Sequence, residues 1–252
     1  MKRSCFSVAA LALAFAGCAR ETVERVEWPV MGTIAAVQTR GEGVKFLSGV
    51  REIVQSFFAV ESGLFNAYDP DSELSRLQGL SDEELLAQCS PHAAVCYNAA
   101  FTLRDQSGGV FNPRWKGPGT MDMGAIAKGY AVDCAALNCW NGEDILIDLG
   151  GNLKSVKGDW TVGIKGGERF VLHEGEACAT SARYYRGNHI KDGRTGADIS
   201  NAVYSVTVIH PESAMLADGL STTLFILGRE KGDEFLEKHY PEARAVWVNA
   251  GL

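Results

Sequence analysis

Positive charge is scarce in this chain. Its 24 Lys and Arg residues face 31 Asp and Glu, a formal charge of −7, which excludes the basic footprint of a general nucleic-acid binder. Long apolar runs are scarce too: VAALALAFAG, residues 8–17, is too short to span a bilayer as a stable helix. The seven cysteines include no CxxC pair and no Cys/His spacing of the kind that holds zinc, so structural roles are expected for them. Internal repeats and low-complexity tracts are absent, which excludes a solenoid. Glycine is plentiful, at 28 residues, and predicts many tight turns and close backbone approaches. The 252 residues suffice for one large domain or two modest ones with a sizeable core.

The first residues read as a processing signal. Lys2 and Arg3 precede the apolar run, and FAGC at 15–18 resembles a bacterial lipobox, with Phe15 where Leu is commoner. The resemblance implies a lipoprotein signal peptide over 1–17, cleavage before Cys18 and lipid on its thiol. A plain secretory signal is the alternative. A lipidated tether over 18–27 would then hold a domain spanning 28–252 on the periplasmic side of a bacterial membrane. Cleavage leaves 22 basic against 31 acidic residues, a charge of −9. Cys89, Cys96, Cys134, Cys139 and Cys178 remain; Cys89/Cys96 and Cys134/Cys139 are local disulfide candidates, and one thiol of five must stay unpaired within the chain.

Periodicity predicts a strand in VMGTIAAVQT, a long helix over VKFLSGVREIVQSFFAVESGLF, and a polar turn in NAYDPDSELSRL capped by Asp71 or Ser72. Two helices follow, the second starting at Pro91 and stopping at Gly108–Gly109. A loop, VFNPRWKGPGT, leads into a helix over MDMGAIAKGYAVD. Strands are expected in DILIDLGGNLKSV, DWTVGIKG, FVLHEG, EACAT and YSVTVIH. A helix in PESAMLADGLSTTLFILG has Pro at its start and Gly at its end, and a short helix and a last strand finish the chain. Helices and strands mix without a strict βαβ rhythm, which favours an α+β fold.

Chemistry is suggested at three places. Asp218 and Thr222 are four apart, so a helix puts them on one face as hard oxygen ligands suited to Mg²⁺, with Ser221 near. Alternatively, Asp218 caps a broken helix and Thr222 bonds back to its own turn. MDMGAIAKGYAVD, residues 121–133, carries Asp122, Lys128 and Asp133 among small residues. Gly124 and Gly129 each cost a helix about 1 kcal/mol relative to Ala, yet small residues at a helix start admit a phosphate, and Lys128 can reach it. The ordinary alternative is an N-cap, close packing and a lysine reaching solvent. Finally, His189 sits in a polar, glycine-rich segment with Asp192 and Arg194 and can accept a proton near neutral pH.

Together, MGT at 31–33, NAYDPDSELSRL, GGVFNP, MDMGAIAKGYAVD, LIDLGGN, ATSARY, HIKDGRTG and the block at 205–228 resemble the ApbE family of FAD:protein FMN transferases. The resemblance runs over nearly all of the mature chain. It implies an ApbE-like α+β fold, mixed sheets with packed helices, and a flavin site in a cleft that takes FAD as substrate. It implies Mg²⁺ held by the Asp218 and Thr222 side chains and the Ala125 carbonyl. It implies FAD contacts at Met31, Tyr68, Val110, Phe111, Asn112, Asp122, Lys128 and Ile190, with His189 as base and Asp192 orienting it. On this reading the small residues of 121–133 admit the dinucleotide and the charges handle its pyrophosphate and metal. A threonine of an acceptor flavoprotein, expected to be a membrane redox subunit, would receive FMN through a phosphoester as AMP leaves.

The chain departs from the family pattern at four places. Asn112 stands for Asp, Ala182 for Gly and Gly193 for Pro, and the segment between FNP and MDMG is short. Two other functions compete with transfer: hydrolysis of FAD to FMN and AMP, and FAD carriage by a non-enzymatic lipoprotein. A large aromatic at Tyr68 favours holding intact FAD, whereas the presence of Asp218, Thr222 and His189 argues against an inert carrier.

Overall fold

The computed structural model describes residues 22–139, 142–183 and 190–249. The signal peptide, Cys18 and His189 therefore lie outside the described residues. Serine opens four of the helices. Ser72 accepts from Ser75 N–H ahead of α2 (Glu73–Arg76), and Ser81 forms a capping box with Glu84 ahead of α3 (Asp82–Gln88). Ser90 caps α4 (Pro91–Gln106), with Pro91 at its first position. Ser213 caps α6 (Ala214–Leu227), so that helix starts three residues after Pro211 rather than at it. Each such cap satisfies a backbone N–H that the first turn leaves unpaired. The remaining helices are α1 (Leu47–Phe65), α5 (Ala127–Cys139) and α7 (Arg229–His239).

The strands are β1 (Val23–Val30), β2 (Thr33–Arg40), β3 (Ile145–Leu149), β4 (Asn152–Lys157), β5 (Trp160–Gly163), β6 (Arg169–Leu172), β7 (Ala177–Ala182), β8 (Val203–His210) and β9 (Arg244–Asn249). One sheet has the order β1-β2-β3-β4-β7-β8-β9; β5 and β6 form a separate hairpin. Every pairing between these strands is antiparallel, so the sheets are not mixed in strand direction. The α+β architecture read from the sequence is the one observed.

Alternation along the strands assigns the two faces. Ala35, Val37, Ile145, Ile147 and Leu149 point into a core shared with α1 and α5. Val206 and Val208 join a second core with α4, α6 and α7. Leu146, Cys178 and Ile209 face the other way, against Trp160 and Leu172 of the hairpin.

Two boundaries differ from the sequence reading. Residues 23–27, expected to be tether, belong to β1, which pairs with β2 from Val23↔Arg40 to Val30↔Thr33. VERVE reads as polar because β1 is an edge strand with one face in water; its hydrogen bonds leave no compositional trace. The helix expected over 121–133 begins only at Ala127. All five cysteines in the described residues are free thiols, so neither Cys89/Cys96 nor Cys134/Cys139 is a disulfide.

Among the described glycines, Gly129 has the least room for a side chain, where α5 packs on α6. A Cβ at Gly129 would stand 2.1 Å from the Ala214 carbonyl oxygen and 2.8 Å from Met215 Cα. The Asp133 carboxylate, one turn further along α5, receives four donors. Ala214 N–H and Lys154 Nζ reach Oδ1 at 2.9 and 2.8 Å, while Met215 N–H and Ser213 Oγ reach Oδ2 at 2.9 Å. A carboxylate at the start of α6 also meets the positive end of its dipole. His210 completes the join: its Nδ1 accepts from Glu212 and Ser213 N–H at 3.1 and 3.0 Å. Burial depresses the His210 pKa, outweighing the opposing pull of Glu242 and Asp133.

Gly129→Ala should cost about 3 kcal/mol, because backbone cannot rotate out of the way of the new methyl; the urea midpoint reads this directly, and an unchanged midpoint contradicts the packing. His210 binds its proton less readily folded than unfolded. Its contribution is therefore present above the unfolded pKa of about 6.5 and lost as pH falls below it. His210→Asn, which keeps an acceptor near the Nδ1 position, should flatten the decline in the urea midpoint across that range.

Candidate active site

The two carboxylates expected at the site are held by different means. Asp218 lies mid-way along an unbroken α6 and is only 6% exposed. It is therefore not a cap. Its Oδ2 accepts from Gly129 N–H at 3.1 Å and faces Lys128 Nζ at 3.3 Å. Gly129 N–H thus turns to Asp218 instead of continuing the helical ladder back to the Ala125 carbonyl, whereas Ala127 N–H reaches the Met123 carbonyl at 2.9 Å and Tyr130 N–H the Ile126 carbonyl at 3.1 Å. The Ala125 carbonyl is left out of the helix by the same bond that fixes Asp218.

Thr222, on the next turn of α6, faces Ser181 of β7. Ser181 Oγ is 3.3 Å from Thr222 Oγ1 and 2.9 Å from Ser221 Oγ. The residues that bond back into their own helix are the neighbours of Thr222, Ser221 to the Asp218 carbonyl at 3.0 Å and Thr223 to the Gly219 carbonyl at 2.8 Å. Asp218 and Thr222 of α6 and the carbonyl of Ala125, in the turn before α5, thus offer hard oxygens, the donor type Mg²⁺ takes. Among the described residues, no hydrogen bond engages Asp218 Oδ1.

Lys128 does not extend into solvent: its Nζ donates to the Gly124 carbonyl at 2.7 Å as well as facing Asp218. Gly124 N–H donates in turn to Asp122 Oδ1 at 3.0 Å, and Lys116 Nζ meets Asp122 Oδ2 at 2.9 Å. Burial works to raise the Asp122 pKa, but Lys116 and the Gly124 N–H together outweigh it and keep the carboxyl below its ordinary value. Lys116 also lies within electrostatic reach of Tyr68. Tyr68 is 91% exposed, a large aromatic standing in solvent on the turn before α2. One network therefore runs from Asp218 through Lys128, Gly124 and Asp122 to Lys116.

The loop before this network is clamped. Gln78 exchanges two hydrogen bonds with the Met121 backbone, at 2.6 and 2.9 Å. Arg114 reaches Asp82 Oδ1, the Leu80 carbonyl and the Pro118 carbonyl, each at 2.8 Å. Lys116, Gln78, Arg114 and Ser181 were not singled out from the sequence. A short loop rich in Gly and Pro gives no sign of where its cation will point.

Two departures from the family pattern prove to be partners. Asn112 Nδ2 donates to the Gly193 carbonyl at 3.0 Å, and Asn112 Oδ1 accepts from Arg114 N–H at 2.9 Å. Gly193 N–H donates to the Val110 carbonyl at 2.9 Å, and a Cβ there would lie 2.5 Å from Asn112 Cβ. Asp at 112 has no N–H to give, and Pro at 193 has neither the N–H nor the room.

Several expected contacts are placed differently. Val110 and Phe111 are buried, at 2% and 3% exposure, and the Val110 backbone is bonded to the Ser107 carbonyl and the Gly193 N–H. Ile190 packs at the edge of the core. Met31 occupies the β1–β2 turn at φ 49°, an uncommon angle for a residue with a side chain, and packs against the other core. No hydrogen bond or ion pair among the described residues ties it to Asp122, Lys128 or Asp218. Asp192, expected to orient His189, directs both oxygens to Arg194, at 2.6 and 2.9 Å, while His189 itself lies outside the described residues. Gly129 and Asp133 hold α5 to α6 and have no free group for a dinucleotide, a correction to the reading of 121–133 as wholly a ligand-binding stretch.

Asn112→Asp and Gly193→Pro should each lower stability by about 1–2 kcal/mol, read from urea denaturation. The double variant should lose less than the sum, because both changes break the same lock; strict additivity would separate the two loops.

The model of the ApbE family matches residues 115–247, more than half of the chain. A Haemophilus influenzae protein named FAD:protein FMN transferase is 35% identical over 142 residues, covering 47% of this chain and 41% of its own. A Klebsiella pneumoniae protein of the same name is 37% identical over 131 residues, covering 44% and 40%. The match spans about two fifths of the length of these curated relatives. The flavin transferase ApbE from Vibrio cholerae has the same fold, with a TM-score of 0.75 at 22% identity over 91% of this chain and 94% of that one. The apo flavinyl transferase ApbE of Pseudomonas stutzeri gives 0.72 at 22% identity, over 91% of each chain. Matched by the family model across the loop, helices and strands that build Asp122, Lys128, Asp218 and Thr222, the chain belongs to the ApbE family.

Proposed function

We propose that this protein transfers FMN from FAD to a threonine of an acceptor flavoprotein, with Mg²⁺ as cofactor. The observation that carries the reading is Asp218: a buried carboxylate inside a helix, fixed by Gly129 N–H and facing the Lys128 ammonium. A buried charge is unfavourable unless it is paired or serves a cation. Asp218, Thr222 and the Ala125 carbonyl would hold Mg²⁺, and the ion supplies neutralisation of the charge that builds on the pyrophosphate. Family membership and the names of the relatives support flavin transfer as the reaction.

The chain's own residues do the rest. Lys128 sets a second positive charge beside the same phosphates. Asp122 and Lys116 line the approach, and Tyr68 offers an exposed aromatic face for the isoalloxazine ring. The acceptor hydroxyl gives its proton to His189 as its oxygen bonds to the FMN-side phosphorus, and AMP departs with the bridging oxygen. The acceptor is read as a membrane redox subunit. Lipid on Cys18 would hold the enzyme beside it on the periplasmic side of a bacterial membrane.

Incubation with FAD, Mg²⁺ and an acceptor domain bearing a flavinylation threonine should add the mass of FMN to that domain and release AMP. AMP with an unlabelled acceptor would mean a pyrophosphatase; bound, unchanged FAD would mean a carrier. Asp218→Asn keeps an oxygen for Gly129 N–H and removes the charge. It should slow Mg²⁺-dependent transfer by about 100-fold or more with little change in melting temperature, and full activity in that variant refutes the metal assignment.

A further inference from the structure

We infer that Glu61, His92 and Cys134 form a second metal site, suited to a divalent ion of borderline softness such as Zn²⁺. They come from α1, the first turn of α4 and α5, and their donor atoms all lie within 4.8 Å of one another. His92 Nε2 is 2.5 Å from Glu61 Oε1 and 4.0 Å from Cys134 Sγ. A tetrahedral ion with bonds of about 2.0–2.3 Å spaces its ligand atoms roughly 3.3–3.8 Å apart, so an ion would take the place of the hydrogen bond between His92 and Glu61 as the two side chains part by about 1 Å.

Glu61 is the independent pointer. It is 0% exposed, set into the helical core, and its second oxygen, Oε2, is buried without a hydrogen-bond donor. A buried carboxylate with an unmet oxygen lacks a partner that a cation would supply. The imidazole is also already oriented. Tyr130 OH donates to the His92 carbonyl at 2.8 Å and lies 3.3 Å from its Nδ1, the outer-shell contact a ligating histidine uses to present Nε2.

Burial is graded so that an ion can enter. Glu61 and Cys134 are buried, while the His92 side chain is 42% exposed. Three protein donors leave a fourth position for water on that open side. The mixed oxygen, nitrogen and sulfur set disfavours Mg²⁺ and separates this site from the all-oxygen group at Asp218. Binding expels to solvent the Cys134 thiol proton and the proton shared between His92 Nε2 and Glu61 Oε1.

Titration of the chelator-stripped protein with Co²⁺ tests this. One equivalent should develop a thiolate-to-cobalt charge-transfer band that Zn²⁺ bleaches, and in Asp218→Asn, which lacks the proposed Mg²⁺ site, Zn²⁺ but not Mg²⁺ should raise the melting temperature. Cys134→Ser should abolish the band. His92→Asn, at a half-exposed position, should weaken Co²⁺ binding at least about tenfold, whereas Asp218→Asn should leave it unchanged. No band, a band that persists in Cys134→Ser, or undiminished affinity in His92→Asn would each overturn the site. If Cys134→Ser does not fold, His92→Asn and Glu61→Gln decide the matter on the same titration.

Discussion

The join between α5 and α6 governs the geometry of everything near it. Asp133 takes four donors from the start of α6 and from β4, and Gly129 lets the two backbones touch. Because the helices meet at backbone distance, Gly129 N–H reaches across to Asp218. That bond fixes the Asp218 carboxylate, withdraws the Ala125 carbonyl from the helical ladder, and leaves Lys128, the preceding residue, facing the same oxygen. Three groups proposed for phosphate and metal are thus set by one contact between two helices. Asp133 and Gly129 carry no chemistry of their own, yet they determine where the chemistry can sit.

A second constraint works on the loops. The segment from Pro113 to Asp122 is short and is pinned by Arg114 and Gln78. Its start is locked to the 190–196 loop through Asn112 and Gly193. The amide at 112 and the glycine at 193 require each other, so they are best understood as one change. The lock also holds the position from which Lys116 reaches Asp122, and so sets the charge around the approach to Lys128.

Two buried carboxylates, Asp218 and Glu61, illustrate how a helix carries charge into a core. Asp218 is met by a backbone N–H and an ammonium. Glu61 meets a histidine with one oxygen, while the other has no hydrogen-bond partner among the described residues, and burial raises its pKa against the opposing effect of His92 and Cys134. Asp218 bonds to Gly129 and Glu61 lies beside Cys134, both residues of α5, and Cys96 feels the charge of both carboxylates. The helix that looked in sequence like a single ligand-binding stretch therefore serves two polar sites and one packing contact.

Much of this was legible in the residues themselves. Helix caps, hairpin turns and strand alternation are short-range effects, so Ser72, Pro91, Gly108–Gly109 and the strands from Ile145 to His210 could be read locally. The four-residue spacing of Asp218 and Thr222 is likewise a property of one helix. Edge strand β1 escaped because its stabilising bonds are to backbone, which composition does not record. The roles of Gly129 and Asp133, the Asn112–Gly193 lock, the reach of Lys116, and the meeting of Glu61, His92 and Cys134 were decided only by tertiary structure. Each joins residues from different elements, and distance through space between such residues is set by packing, which no local spacing encodes.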